Sequence, residues 1–333
     1  MCKKSTAPES SLVTHIGNLY LWRMFILNSI APIFLLILLG KTLQKTGFMP
    51  EVFFKSLSRF VFWFALPSLL ISSISRADLN FPTISRILGI FSLGTVLSLA
   101  FAWGVAKVLK LPAPKTGAFI QGSFRGNGAF VGLPVIVYSL GSIDASAEQL
   151  ATVVLAPVVV IFNILAVTVL LHYGKDKHST GDSISTFFLQ MVKNPLIMSC
   201  VTGIALNLLK LELPLFLNRS LEALGRAALP MILMSIGASL AVEKLKGAAS
   251  PSLIASLIKV AVTPAIGFLL AGFFDLSVTE KMIAIFFLGC PTAGMSYVMA
   301  DVMGSDSTLA ARIIALSTLL SAITLPVIIA VGL

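Results

Sequence analysis

Two apolar stretches of this sequence contain residues that could bind a small anion. The first, RGNGAFVGLPVIVYSLG, begins with Arg125 and includes Asn127, and the second, LGCPTAGMSYVMA, contains Pro291. An arginine inside an apolar helix usually faces a cavity or a partner. For Arg125 two roles remain open, a counter-charge for an anion or a structural partner for a backbone carbonyl or for Asp301. Asparagine offers donors and an acceptor without charge, and for Asn127 we favour contact with a carboxylate over capping of a broken helix.

A proline inside each of these stretches predicts an interrupted helix. Pro134 and Pro291 have no backbone N–H, and each frees a carbonyl four residues earlier. In lipid such freed groups must be satisfied by protein, water or ligand. The amino-terminal end of a half-helix carries partial positive charge and free N–H groups, which suit a carboxylate. Two interruptions at corresponding places therefore predict a pair of broken helices that face each other.

The small residues of the first stretch also have a purely structural interpretation. Small side chains at every fourth position let helix backbones approach closely in a membrane. The residues with this spacing are Ala118, Gly122, Gly126, Gly128 and Gly132.

Lys259, in SLIKVAVTP, is another cation in an apolar stretch. Because it lies near a predicted helix start, we expect its amine to reach the membrane interface, where its role is structural. Acidic residues are nearly missing from the predicted helix centres, which disfavours a cation antiporter.

Enzymatic, metal and cofactor chemistry are not indicated. Ser123 and Cys290 are the plausible nucleophiles, and neither has a histidine at a spacing that would activate it. The three cysteines form no closely spaced pair, and the three histidines are scattered. We therefore expect no disulfide framework, no metal site and no cofactor.

The composition places these residues in a membrane protein. Of the 333 residues, 57% are hydrophobic and 11% are charged, whereas a soluble domain is about a quarter charged. The net charge of +10 comes from Lys and Arg in short gaps between apolar runs, without a basic stripe and interleaved aromatics. That pattern is typical of cytoplasmic loops of membrane proteins and not of nucleic-acid binding.

Ten apolar segments are long enough to span a bilayer, which takes about 20 residues as a helix. The Lys and Arg distribution between the gaps predicts that both termini lie outside the cytoplasm. Residues 1–23 form a polar tail without a signal-peptide pattern, and Met24 could be the true start. The predicted spans are 24–44, 52–75, 86–108, 116–140, 149–172, 189–210, 221–242, 252–274, 280–302 and 308–332.

The spans fall into two halves that share a proline spacing. Pro32 and Pro67 are separated by the same 35 residues as Pro195 and Pro230. The polar segment 174–183 separates a first repeat, 24–173, from a second, 184–333. Five helices per repeat is an odd number, so the second repeat must enter the membrane from the opposite side. Inverted repeats with broken helices are typical of secondary transporters.

Several motifs in order resemble the auxin efflux carrier family, which includes plant PIN proteins and bacterial malate or malonate permeases. The resemblance covers Met24 to Leu333, and among its motifs are APIFLLILLGKTLQKTGFMP, SLSRFVFWFALPSLL, RGNGAFVGLPVIVYSLG, NPLIMSCVTGIALNLL and CPTAGMSYVMADVMG.

The resemblance implies an all-α fold with ten helices in two inverted five-helix repeats, in which helices four and nine unwind at prolines and cross. It also implies a substrate carboxylate at the crossing, a scaffold of the first, second, sixth and seventh helices, and a homodimer formed through it. The substrate-binding residues it predicts, together with Arg125 from the reasoning above, are Arg125, Asn127, Gly128, Pro134, Pro291, Thr292, Ala293 and Gly294.

The sequence thus predicts an elevator-type secondary transporter of small organic anions, located in a bacterial inner membrane. The alternatives are a sodium-coupled symporter of the bile-acid transporter type, which would need oxygen-rich cation sites, and a membrane sensor that binds a ligand without moving it.

Overall fold

The computed structural model describes residues 31–174, 193–239 and 250–333. Within these ranges the chain forms twelve helices. They are α1 (31–45), α2 (Glu51–Ile74), α3 (Phe81–Val108), α4 (Ala113–Phe124), α5 (Gly128–Leu140), α6 (Ala147–Tyr173), α7 (Pro195–Leu208), α8 (Leu215–Ser239), α9 (Ser250–Ala271), α10 (Val278–Gly289), α11 (Met295–Val302) and α12 (Ser307–Gly332). The predicted tail 1–23 and the segment 174–183 beyond Gly174 lie outside the described residues.

Six of the described helices are long and apolar enough to cross a membrane, namely α2, α3, α6, α8, α9 and α12. Large apolar side chains point outward from them, among them Leu269 of α9 and Ile323 of α12, which are 72% and 68% exposed. An exterior of this kind suits lipid rather than water. The prediction of an all-helical membrane protein is confirmed, whereas the count of ten spans and the inverted repeat stay predictions.

The two segments that were expected to be interrupted are each divided into two helices. The predicted span 116–140 contains α4 and α5, and the predicted span 280–302 contains α10 and α11. The breaks cover residues 125–127 and 290–294, and we call them the first break and the second break.

Polar side chains cap the amino-terminal ends of several helices. The Asn80 side chain accepts a hydrogen bond from the N–H of Thr83 over 3.1 Å at the start of α3. Asp306 accepts from Leu309 over 2.8 Å at the start of α12. Such caps satisfy N–H groups that have no partner within the helix, and they fix where each helix begins.

Four helices, α1, α2, α7 and α8, form one group that is held together at glycines. A β-carbon placed on Gly40 of α1 would lie 2.0 Å from the carbonyl oxygen of Met234 in α8. On Gly203 of α7 it would lie 2.9 Å from the Ile74 side chain in α2. Helix backbones are therefore nearly in contact at both places. We call these four helices the scaffold group.

The remaining helices form a second group, in which α4 and α10 are central. Residues 116–124 of α4 and 282–289 of α10 are all buried. Around them pack α3, α6, α9 and α12, and α5 and α11 continue from the breaks. The core of this group therefore contains both breaks, and we call these helices the core group.

Three prolines follow a five-residue π-helical turn. The turns are Val61–Ala65, Gly128–Gly132 and Ile258–Val262, and each ends two residues before Pro67, Pro134 or Pro264. A proline has no N–H and collides with the carbonyl one turn earlier, so a wider turn accommodates it within a continuing helix. The prediction that Pro134 stands in a break is therefore wrong, because it lies inside α5.

Candidate functional site

The two breaks pair with each other through the backbone. Gly126 and Thr292 face each other as an isolated antiparallel bridge. On one side of this bridge the N–H of Asn127 donates to the carbonyl of Pro291 over 2.8 Å. The pairing brings together five residues that the sequence assigned to one site, namely Arg125, Asn127, Pro291, Thr292 and Ala293.

The second break supplies donors to the end of α4. The Thr292 hydroxyl donates to the Gly122 carbonyl over 2.7 Å, and the N–H of Ala293 donates to the Arg125 carbonyl over 3.2 Å. These carbonyls lie at the carboxyl end of a helix that stops inside the protein, where water cannot serve them. Thr292 and Ala293 therefore complete the backbone of the opposite half.

The end of α10 is completed by side chains. Pro291 has no N–H to offer the carbonyl of Phe287, which instead accepts a hydrogen bond from Cys290 Sγ over 3.1 Å. Pro291 thus stands in the second break, as the sequence predicted. The two prolines are not equivalent, because Pro134 lies within a continuous helix.

The amino-terminal ends of α5 and α11 are left with unused donors. No acceptor among the described residues pairs with the N–H groups of Gly128 and Ala129, or with those of Gly294 and Met295. Both half-helices carry partial positive charge at these ends. The two ends together offer a seat for an anionic group.

Asn127 caps the first of these ends. Its Oδ1 accepts from the N–H of Phe130 over 3.3 Å, so the capping role that the sequence left open is present. Its Nδ2 has no acceptor among the described residues, and the side chain is only half-buried. One face of the amide therefore remains available to a ligand.

The Arg125 side chain is buried, with 7% of its surface exposed. One terminal nitrogen donates to Asn163 Oδ1 over 2.7 Å and the other to Ser296 Oγ over 3.2 Å. Its Nε has no partner among the described residues. Asp301, the acid considered as a partner, is exposed and makes no ion pair with it. The guanidinium charge is therefore held by neutral groups alone.

Sequence reasoning missed the two groups that hold Arg125. Asn163 stands in the apolar run VVVIFNILAV of α6, where a single amide is the detectable signal. Ser296 lies in the first turn of α11, one residue beyond the free N–H groups. Arg125 thereby links the charge of the first break to the amino-terminal end of α11.

Access to the pair of breaks is one-sided. Pro291, Thr292 and Ala293 are buried, whereas Gly294 and Met295 are exposed. A β-carbon on Gly294 would meet nothing within 4 Å, so there is open space beside it. An anion could reach the free N–H groups of α11 from this side.

An apolar cavity of about 90 Å³ lies beside α5, between the scaffold group and the core group. Its walls include Ile33 and Leu233 from the first group, and Val131, Thr318 and Leu325 from the second. It has no cationic side chain, so its lining suits an apolar group and not a carboxylate.

No cluster of His, Cys, Asp and Glu that could hold a metal ion occurs in the described ranges. The groups at the paired breaks include the buried guanidinium of Arg125, two helix ends and an amide, and such groups can bind an anion.

Six long apolar helices, and two further apolar stretches that contain these breaks, define an integral membrane protein. The chain belongs to the membrane transport protein family, whose model matches residues 25–329. The predicted resemblance is thereby confirmed, and the protein is a membrane transporter and not an enzyme.

Three relatives match most of this chain. An uncharacterized transporter of Methanocaldococcus jannaschii is 27% identical over 310 residues, which is 90% of this chain and 96% of the relative. An uncharacterized transporter of Methanothermobacter thermautotrophicus is 26% identical and matches 90% and 96% of the two chains. A candidate malonate transporter of Rhizobium meliloti is 26% identical and matches 89% and 92%.

Proposed function

We propose that this protein is a secondary transporter of small organic anions, and that a carboxylate binds where the two breaks meet. The observation that carries this proposal is the set of unused N–H groups at the amino-terminal ends of α5 and α11, beside a buried arginine that has no acid partner among the described residues. Helix ends of this kind bind anionic substrates in broken-helix transporters.

The proposed contacts divide between the halves. From the first half, Asn127 offers Nδ2 and Gly128 offers its N–H, and Arg125 supplies the charge from behind them. From the second half, Gly294 offers its N–H. Thr292 and Ala293, together with Pro291, fix the backbone that positions these donors. That Pro134 belongs to the substrate-binding site stays a prediction.

The substrate class follows from these groups and from one relative. Hydrogen-bond donors around a fixed positive charge favour a carboxylate. The relative from Rhizobium meliloti is named as a candidate malonate transporter. Small carboxylates such as malonate or malate, and auxin-like acids, are therefore the first anions to test.

The proposed mechanism is an elevator, in which the core group carries the anion past the scaffold group. Both breaks lie within the core group. The boundary between the groups is apolar at the cavity beside α5, and across it Phe62 of α2 meets Phe130 of α5 with ring centroids 6.3 Å apart. An apolar boundary with few directional bonds supports sliding better than a polar one.

The repeat organisation is part of the same proposal. Residues 24–173 and 184–333 form the two inverted repeats on either side of 174–183, with 1–23 as a tail. Gly40 and Gly203 hold equivalent places in the two proline-spaced halves, and each packs against the second helix of the other half. That reciprocal contact supports a two-fold relation between the repeats.

Location and assembly complete the proposal. We place the protein in a bacterial inner membrane with both termini outside the cytoplasm, as the Lys and Arg distribution predicts. A homodimer would form through the scaffold group.

The test is flux in proteoliposomes that contain the full chain and labelled malonate, malate or indole-3-acetate. Wild-type protein should move at least one of these anions, and Asn127→Ala should reduce that flux strongly. Asn218→Ala, in the first turn of α8, is the matched control and should transport normally. Equal flux in wild type and Asn127→Ala would show that the site is elsewhere.

The same assay separates the alternatives. Flux that requires sodium would indicate a sodium-coupled symporter. Saturable binding without flux of any anion would indicate a sensor.

A further inference from the structure

Lys259 is a fully buried cation with no place in the anion site. It lies in the π turn Ile258–Val262 of α9, with none of its surface exposed. The prediction that its amine reaches the interface is therefore wrong. The reason is that the buried carbonyl of Leu288 accepts a hydrogen bond from the amine of Lys259 and so holds it inside the core group.

The Leu288 carbonyl needs a donor because of the second break. In an uninterrupted helix it would accept from the N–H of Thr292. In this chain that N–H donates to Ser317 Oγ over 3.1 Å. The amine of Lys259 fills the position that Thr292 has left.

The surroundings of the amine are neutral. The ring of Phe162 lies 5.8 Å from Nζ, and a β-carbon on Gly126 would lie 3.2 Å from Nζ and 2.6 Å from Cys290 Sγ. No acid of the described ranges pairs with Lys259. A buried charge without an acid is costly, so it persists where other groups stabilise it.

The carboxyl end of a helix is the group that stabilises it. Such an end carries partial negative charge, and in broken-helix transporters half-helix ends of this type coordinate the coupling cation. At the end of α10 the ammonium of Lys259 occupies the place that a free monovalent cation would take.

We propose that Lys259 is a tethered cation, which replaces a dissociable monovalent cation at the carboxyl end of α10 and keeps the two breaks paired without sodium. The role of this tethered cation in transport rests on the proposed anion site. The test below uses no anion, so that failure of this proposal and failure of the anion site can be told apart.

The test measures the melting temperature of the full chain in detergent at constant ionic strength. Lys259→Ala removes the ammonium and leaves room beside Leu288. Propylammonium supplies the methylenes and the charge that this substitution removes. Lys259→Met fills the same room without charge, and Lys259→Gln keeps a donor without charge.

The tethered-cation proposal gives a distinct result for each variant. Lys259→Ala should melt below wild type and gain several degrees with propylammonium, because a ligand that binds the folded state stabilises it. Lys259→Met and Lys259→Gln should also melt below wild type, and propylammonium should not restore Lys259→Met. Wild-type protein should melt at the same temperature in sodium and in choline.

The matched control is Lys115→Ala, which removes an exposed lysine at the start of α4. It should melt as wild type does, with or without propylammonium.

Three results would overturn the proposal. They are a Lys259→Ala variant that propylammonium does not restore, a Lys259→Gln variant as stable as wild type, and a wild-type protein that sodium stabilises over choline. If Lys259→Ala does not fold, the comparison of Lys259→Gln with wild type decides the matter.

Discussion

The first break and the second break are joined by the same backbone pairing, but they are stabilised differently. The first break carries its own polar side chains, Arg125 and Asn127. The second break, CPTAG, has no charge, and it depends on Lys259 from α9 and Ser317 from α12. A sequence motif alone therefore reveals the first break more readily than the second.

The two breaks also differ in exposure. A β-carbon at Gly126 in the first break would collide with Cys290 Sγ at 2.6 Å, whereas one at Gly294 in the second would meet nothing within 4 Å. At these two glycines the first break is tightly packed, and the second has open space beside it. We infer that charge comes from one half and access from the other.

Of the variants that test this difference between the breaks, the one that removes the Arg125 charge should have the largest effect. Arg125→Met leaves Asn163 and Ser296 without their donor and the anion without its counter-charge. We take the lost counter-charge to weaken anion binding by about as much as the loss of one charged hydrogen bond, about 1.5–3 kcal/mol, so we expect malonate affinity or flux to fall by about 10- to 100-fold. Equilibrium binding and proteoliposome flux measure this loss.

The control for that variant is Arg59→Met, which changes an exposed arginine on α2. It should bind and transport as wild type does. Equal loss in both variants would mean that overall charge, and not the first break, attracts the anion.

A methyl group added to each break sharpens the contrast in exposure. Gly126→Ala must displace Cys290 or the carbonyl of Phe287, and overpacking of this kind costs about 1–3 kcal/mol. Gly294→Ala has room and should fold as wild type does. Thermal unfolding of both variants checks this, and equal stability would contradict the tight packing of the first break.

Loss of one hydroxyl tests whether the second break supports the first. Thr292→Val removes the donor to the Gly122 carbonyl, and a buried acceptor without a partner costs about 1–2 kcal/mol. Thr168→Val is the matched control, because that hydroxyl is exposed and bonds within its own helix. Only Thr292→Val should lower the melting temperature.

Removal of the Asn127 amide should have the smallest effect on anion affinity. One hydrogen bond to a charged carboxylate corresponds to about a tenfold change in the dissociation constant. Titration of Asn127→Ala should show that loss, with strongly reduced flux because the cap of α5 is lost as well. Unchanged affinity would remove Asn127 from the site.

The sequence allowed the class of fold and most of the residues at the paired breaks to be predicted. Prolines and polar residues in apolar runs identified both interrupted helices, and five of the predicted residues meet at one bridge. These signals are local, so they can be read without three-dimensional information.

The errors concern contacts between distant parts of the chain. Pro134 was expected in a break because a proline forbids one hydrogen bond, but the π turn before it absorbs the distortion. Lys259 was expected at the interface because lysine prefers water, but a carbonyl that the distant second break frees holds it inside. No local pattern reveals a partner that another helix supplies.

The most direct test of the account is the position of a bound anion, determined in a structure of the full chain with the best-transported carboxylate. The carboxylate should lie about 3 Å from the N–H of Gly128 or Ala129 and from that of Gly294 or Met295. Anion density in the apolar cavity between Leu233 and Leu325, with none at the breaks, would contradict it.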